Sequence, residues 1–128
     1  FKYKGVSVTM NGAAKKLIKK AGKPSKKTVK KSCAYKGKDR TYTYKDFQLK
    51  TYSKTNNGAE YVSEIRFRSN KAVTKEGIRI GSSLKDVTKK YGKAKARFGV
   101  YTFKKGSSKL QIMLNGNKVS AIRYFASK

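Results

Sequence analysis

Histidine is absent from this chain, cysteine occurs once, and six carboxylates stand against 34 lysines and arginines in 128 residues. Each scarcity excludes something. Without histidine the commonest general base and metal ligand is missing. The single cysteine, Cys33, rules out an internal disulfide and any cysteine-rich metal site. With no histidine to activate it, Cys33 reads as a small buried hydrophobe beside aromatics. The acids Asp39, Asp46, Glu60, Glu64, Glu76 and Asp86 are dispersed, with no spacing that makes a paired-carboxylate site. Together these gaps point away from an enzyme and from any cofactor or metal. No apolar run is long enough to cross a membrane as a helix. The chain opens on Phe1 rather than Met, from which a mature or trimmed form is expected, compatible with a removed export signal.

Positive charge is what the chain has in abundance. The formal net charge is +28, carried by 28 lysines and six arginines, and every charged residue before Asp39 is a lysine. Such a surface repels copies of itself and draws polyanions. Lysine is a hydrated point charge, whereas base-edge and planar phosphate recognition favour the arginine fork, so the balance tilts toward a diffuse anionic partner. Hydrophobic content is 37%, but nine Tyr and six Phe supply enough apolar area for a folded domain of this length.

A short signature is written twice. Val62-Ser63-Glu64-Ile65-Arg66-Phe67 returns as Val119-Ser120-Ala121-Ile122-Arg123-Tyr124, 57 residues later, position 62 against position 119. Gly5-Val6-Ser7-Val8 answers to Gly77-Ile78-Arg79-Ile80, Ala21-Gly22-Lys23 to Tyr91-Gly92-Lys93, and Phe47-Gln48-Leu49 to Leu110-Gln111-Ile112. The period predicts two structural units in one domain spanning 1–128, at about 5–70 and about 77–127.

Within each unit, helical spacing gives way to alternation. Ala14, Leu17, Ile18 and Ala21 share a face of a helix predicted over Ala13–Ala21, capped by Asn11 and stopped by Gly22 and Pro24. Leu84, Val87 and Tyr91 make the stripe of a second, over Leu84–Tyr91, with Ser83 and Asp86 at capping-box spacing. Strands follow around Tyr42–Tyr44, Phe47–Thr51, Val62–Arg68, Tyr101–Phe103, Leu110–Leu114 and Lys118–Phe125. Turns are expected at Asn56-Asn57-Gly58 and Asn115-Gly116-Asn117. Lys23–Ser32 reads as an irregular basic surface loop. The expected fold class is α+β: two tandem helix-plus-three-strand repeats forming one antiparallel sheet with helices on one face.

Gly77-Ile78-Arg79-Ile80-Gly81-Ser82-Ser83, with Val87 and Tyr91-Gly92, resembles the β-lactamase-inhibitor-protein-like tandem repeat and the small outer-membrane-assembly lipoproteins that carry one such unit. Ser32-Cys33-Ala34-Tyr35-Lys36-Gly37, Tyr42-Thr43-Tyr44 and Thr74-Lys75-Glu76-Gly77 are similar to a group of uncharacterised lipoproteins of Gram-positive anaerobes. The resemblance implies a fold and an exported, lipid-anchored form. It carries no functional residue onto this chain, and the lysine load departs from the acidic or neutral character of those relatives.

Two surfaces are candidates. Period-two geometry puts Lys50, Tyr52, Arg66, Arg68, Met113, Arg123 and Phe125 on the sheet face away from the helices, beside Gln48, Glu64, Gln111 and Ala121. Arginine with aromatics is an interface composition; the plainer reading is a solvated face with Glu64 paired to cations across strands. The second surface is the lysine stretch Lys15, Lys16, Lys19, Lys20, Lys23, Lys26, Lys27, Lys30 and Lys31, a polyanion patch. The glycines of Gly77–Gly81 precede a helix as phosphate loops do, but they lack the P-loop and dinucleotide spacings and read as turns.

The leading expectation is therefore a non-enzymatic, exported, surface-associated module that binds anionic cell-wall polymers or a protein. One alternative is nucleic-acid binding through charge, although no helix-turn-helix, ribonucleoprotein or zinc motif is present. Another, by fold analogy alone, is inhibition of an extracellular enzyme.

Overall fold

Apolar residues alternate with Glu64 and Arg66 along a strand that lies at the middle of one antiparallel sheet. The computed structural model describes residues 2–3, 5–31, 37–55, 58–74, 76–92, 100–105 and 108–126. Its elements are β1 (Lys2–Tyr3), β2 (Val6–Ser7), α1 (Lys15–Ala21), β3 (Lys26–Lys31), β4 (Lys38–Thr43), β5 (Phe47–Ser53), β6 (Glu60–Phe67), α2 (Leu84–Tyr91), β7 (Val100–Lys105), β8 (Ser108–Asn115) and β9 (Lys118–Ala126). β1 and β2 form a ribbon; the other seven strands form a sheet in the order β3-β4-β5-β6-β9-β8-β7. Cys33, the Asn56-Asn57 pair of the first expected turn and Lys75 lie outside the described residues.

This architecture corrects the expected one. The protein is mostly β, with helices of seven and eight residues, and is not an α+β pair of helix-plus-three-strand repeats. The first half supplies four strands to the sheet, because Lys26–Lys31 is the edge strand β3, paired with β4, and not an irregular loop. Its lysines are all exposed and Thr28 is half-buried, so no apolar alternation marks it. The β-branched pair Thr28-Val29 is the one local sign of a strand. Asn11 is likewise not the helix cap. It adopts φ 63°, its Oδ1 accepts from the Tyr52 hydroxyl, and α1 starts at Lys15 with no side-chain cap at Ala14. By contrast α2 has the predicted bounds, and Ser83 Oγ accepts from the Asp86 amide at 3.1 Å.

A spacing of three separates Val62 from Ile65, yet both face the core. Lys50 pairs with Glu64 and Thr51 with Val62, which leaves Ser63 as a bulge. β9 does the same: Met113 pairs with Ala121 and Leu114 with Val119, which leaves Ser120. Each bulge is closed by its own serine, Ser63 Oγ donating to Lys50 O and Ser120 Oγ to Met113 O. A bulge shifts the side-chain period by one, so the apolar set stays on one face through the irregularity.

Each helix is tied to the sheet by the same three kinds of backbone bond. For α1 these are Asn11 N–H to Val62 O, Val62 N–H to Gly12 O, and Ala14 N–H to Glu60 O. For α2 they are Gly81 N–H to Val119 O, Val119 N–H to Ser82 O, and Leu84 N–H to Asn117 O. Leu17 and Val87 then drop onto a core of Phe47, Leu49, Ile65, Ile112 and Ile122, all fully buried. The Tyr3 ring meets Phe47 edge-on at 4.8 Å and closes one side.

Two stability measurements follow. Replacing Ile65 or Ile122 by Ala is expected to cost about 2–5 kcal/mol in a denaturant titration, the range for buried aliphatic truncation. The Tyr42 hydroxyl donates to Glu60 at 2.7 Å, whereas the hydroxyl of buried Tyr44 has no hydrogen-bond partner among the described residues. Tyr42→Phe should therefore cost about 1 kcal/mol, and Tyr44→Phe should be neutral or stabilising.

Candidate functional site

Strand register assembles the open face into rows. Gln48, Arg66, Arg123 and Gln111 are neighbours across β5, β6, β9 and β8, and beside them run Lys50, Glu64, Phe125 and Lys109. Arg66 and Arg123 are thus directly opposed across the β6–β9 seam, an arrangement of like charges that is unfavourable by itself. Glu64 resolves it. Its Oε2 accepts from Arg66 Nε at 2.9 Å and lies 3.5 Å from Lys50 Nζ, while Oε1 accepts from Arg123 Nε at 2.9 Å and from Arg123 Nη2. Burial opposes ionisation of Glu64, but the Arg123 hydrogen bond and the charges of Lys50, Arg123 and Arg66 outweigh it and hold the carboxyl below its ordinary range. The cluster keeps a surplus of positive charge, three cations to one anion.

Phe125 extends this cluster. Arg123 Cζ stands 4.6 Å and Lys109 Nζ 5.9 Å from its ring centroid. The remaining residues predicted for this face lie apart. Met113, 37% exposed, occupies the next row with Ala121 and Val100. Tyr52 packs on Tyr61 at 5.6 Å and reaches Asn11. Arg68 sits beyond the end of β6, with Nη1 donating to the Tyr44 carbonyl at 2.6 Å. So Lys50, Arg66, Arg123 and Phe125 form one site around Glu64, and Tyr52, Arg68 and Met113 lie outside it. Lys109 belongs to the site and was not predicted, because β8 begins at Ser108, ahead of the expected Leu110, and pairs Lys109 with Phe125.

The nine lysines of the expected patch are all exposed, but the fold divides them. Lys15, Lys16, Lys19 and Lys20 cover the outer side of α1. Lys27 lies on the helix side of β3, with Nζ 5.1 Å from the Tyr42 centroid, and the alternation of β3 turns Lys26 and Lys30 to the open face.

Elsewhere the carboxylates serve tyrosines. Tyr3 donates to Asp46, Tyr42 to Glu60 and Tyr91 to Glu76, each at 2.7 Å. Burial first, then the bond to Asp46, pushes the Tyr3 hydroxyl up to about 12. Tyr91, raised chiefly by burial, also stands 2.7 Å from Thr74 Oγ1, which accepts from the Ile78 amide. A cavity of about 780 Å³ opens beside it, walled by Val8, Met10, Tyr91, Phe103, Leu110 and Tyr124.

The glycine stretch before α2 is structural. Gly77 and Gly81 adopt φ 92° and 98°, and the amides of Gly77, Gly81 and Leu84 donate to Thr74, Val119 and Asn117 carbonyls. Those amides are occupied, which leaves them nothing to offer a phosphate. Among the described residues no helix is long and apolar enough to cross a membrane. Comparison with protein-family profiles, curated proteins and solved structures finds no match to this chain.

Glu64 supplies a stability test. Because its folded-state pKa is depressed, its contribution is present above the unfolded value of about 4.5 and is lost as pH falls through the lower folded value. Glu64→Gln should cost about 1–3 kcal/mol at neutral pH, since it leaves opposed arginines uncompensated. It should also flatten the acid limb of a melting-temperature profile below pH 4.5. Adding Arg66→Gln to Glu64→Gln should recover part of the loss, measured as a double-mutant cycle.

Proposed function

We propose that this chain is a non-enzymatic binding module that adheres to anionic polymers of the cell envelope, with teichoic-acid-like polyphosphates as the type of ligand. The observation that carries the reading is lysine without internal counter-charge. Among the described residues Lys50 is the one lysine with a carboxylate within 4 Å, while the nine lysines of α1, Lys23 and β3 are exposed. Six acids against 34 lysines and arginines leave the cationic field largely uncancelled and free to condense on a polyanion. The resemblance to lipoproteins of Gram-positive anaerobes supports an exported form that is lipid-anchored at full length. Nucleic acid offers the same charge and stays the alternative ligand.

A second reading has its own observation. Arg66, Arg123 and half-buried Phe125, with exposed Met113 nearby, combine fork-shaped donors and apolar surface on one face, a composition suited to a protein partner. Inhibition of an extracellular enzyme is one form that such a partnership takes.

Salt titrations separate these readings. Binding to teichoic acid, heparin and duplex DNA is expected to fall steeply with salt and to discriminate poorly among DNA sequences, with the DNA log–log slope dropping by about 0.9 for each lysine contact removed. Neutralising Lys26, Lys27, Lys30 and Lys31 should weaken polymer binding at least as much as neutralising Arg66, Arg68 and Arg123, because screening over about 8–10 Å makes each charge act locally. A strong preference for one DNA sequence at moderate salt sinks the envelope reading and favours nucleic acid. Dominance of the arginine set, with a salt-insensitive loss in Phe125→Ala, favours the protein-binding face.

A further inference from the structure

The two edges of the sheet are unlike. β7, at one end, carries half-buried Val100, Tyr101 and Phe103. β3, at the other, has β4 as its single neighbour among the described residues and reads Lys-Lys-Thr-Val-Lys-Lys. An edge strand presents unpaired backbone donors and acceptors along its free side, and such an edge is a template for a further strand. Lysines on it repel a second copy of this chain, since β3 against β3 would bring eight ammonium groups together. The same lysines select an opposite occupant. We propose that β3 is a docking edge for an extended, acidic polypeptide segment, which joins the sheet as an eighth strand.

Charge complementarity commits the edge to that occupant. Lys26, Lys27, Lys30 and Lys31 are exposed on both faces of β3, so an added strand meets cations above and below its own pleat. Directly opposed side chains in an antiparallel pair stand about 4.5–5.5 Å apart at Cβ, within reach of a carboxylate. Between the lysine pairs lies Val29, which at 49% is the most exposed of the large hydrophobic residues described. An apolar residue on the incoming strand covers it. The complementary antiparallel segment is therefore Glu-Glu-Val-Thr-Glu-Glu, with acids opposite the four lysines, Val opposite Val29 and Thr opposite Thr28. Ladder hydrogen bonds supply affinity and the alternating side chains supply selectivity, as in other β-strand additions. A carboxylate polymer without amides has the charge and lacks the ladder, which distinguishes this site from the diffuse field proposed above.

The test is an NMR titration of the whole chain at low salt with that peptide, capped at both ends. Amide exchange should slow in β3, and methylating the four central amides of the peptide, which leaves its charge intact, should weaken binding about tenfold or more through lost ladder bonds. Lys→Gln at Lys26, Lys27, Lys30 and Lys31 should weaken the peptide strongly. The same four-charge change at Lys15, Lys16, Lys19 and Lys20 should alter it by about twofold at most, since α1 lies outside the added ladder. The proposal is overturned if the methylated peptide binds equally, if the helix set matters as much as the strand set, or if protection maps to Arg66 and Arg123 instead of β3. Polyacrylate, measured alongside, tests the diffuse reading separately: weak polyacrylate binding with intact peptide binding removes that reading and leaves the edge site standing.

Discussion

Scarcity of carboxylate is the constraint on which this structure depends. A chain with 34 cations and six acids cannot neutralise its surface, so the placement of each acid decides what holds and what is left charged. Glu64 goes to the centre of the sheet, where Arg66 and Arg123 are opposed across the β6–β9 seam. Asp46 goes to a junction: it accepts from Tyr3 of the amino-terminal ribbon and from Ser69 beyond β6. Burial opposes its ionisation, and those two bonds with Lys71 and Lys45 hold its carboxyl low. Glu60 and Glu76 are partly buried and satisfy tyrosines. These four acids act as fasteners, Asp39 and Asp86 are exposed, and most of the described lysines face water.

That division explains how a strongly basic chain folds at all. Self-repulsion among exposed lysines is screened within about 8–10 Å at ordinary ionic strength, and the apolar layer beneath, from Phe47 and Leu49 through Ile65 to Ile112 and Ile122, is continuous across both halves of the sheet. Stability resides in the core and in a few buried polar bonds. The surface is free to be selected for its partners.

The sequence was most legible where one face is buried and the other wet. Leu84–Tyr91 could be bounded from its stripe, its serine and its glycine, and the alternation around Ile65 and Ile122 marks the two central strands. It was least legible where both faces meet the same solvent. β3 has no apolar period to show, and its lysines read as a loop; adding it makes the first half larger than the second and the whole protein mostly β. Asn11 has the chemistry of a cap, but its backbone is committed to β6, with its amide donating to Val62 O. At the open face, the identities of Lys50, Arg66, Arg123 and Phe125 were readable from period two. Their convergence on Glu64, and the arrival of Lys109, depend on inter-strand register. Register is set by bulges and turn lengths, which a single sequence does not spell out.

The strand order also carries an entropic consequence. Every pairing in the seven-stranded sheet joins strands adjacent in the chain except one, β6 with β9, which brings Glu64–Arg66 to Arg123–Phe125. The meander β3-β4-β5-β6 and the meander β9-β8-β7 each close through local contacts, whereas the seam must first meet the entropy of closing the long intervening loop. The seam is accordingly the pairing with the largest closure entropy in the ladder, and the one that joins the two meanders into a single sheet. The Glu64 cluster sits on that join, with bonds to Arg66 on one side and Arg123 on the other, so it clasps two halves that the chain itself holds together only through a long connection.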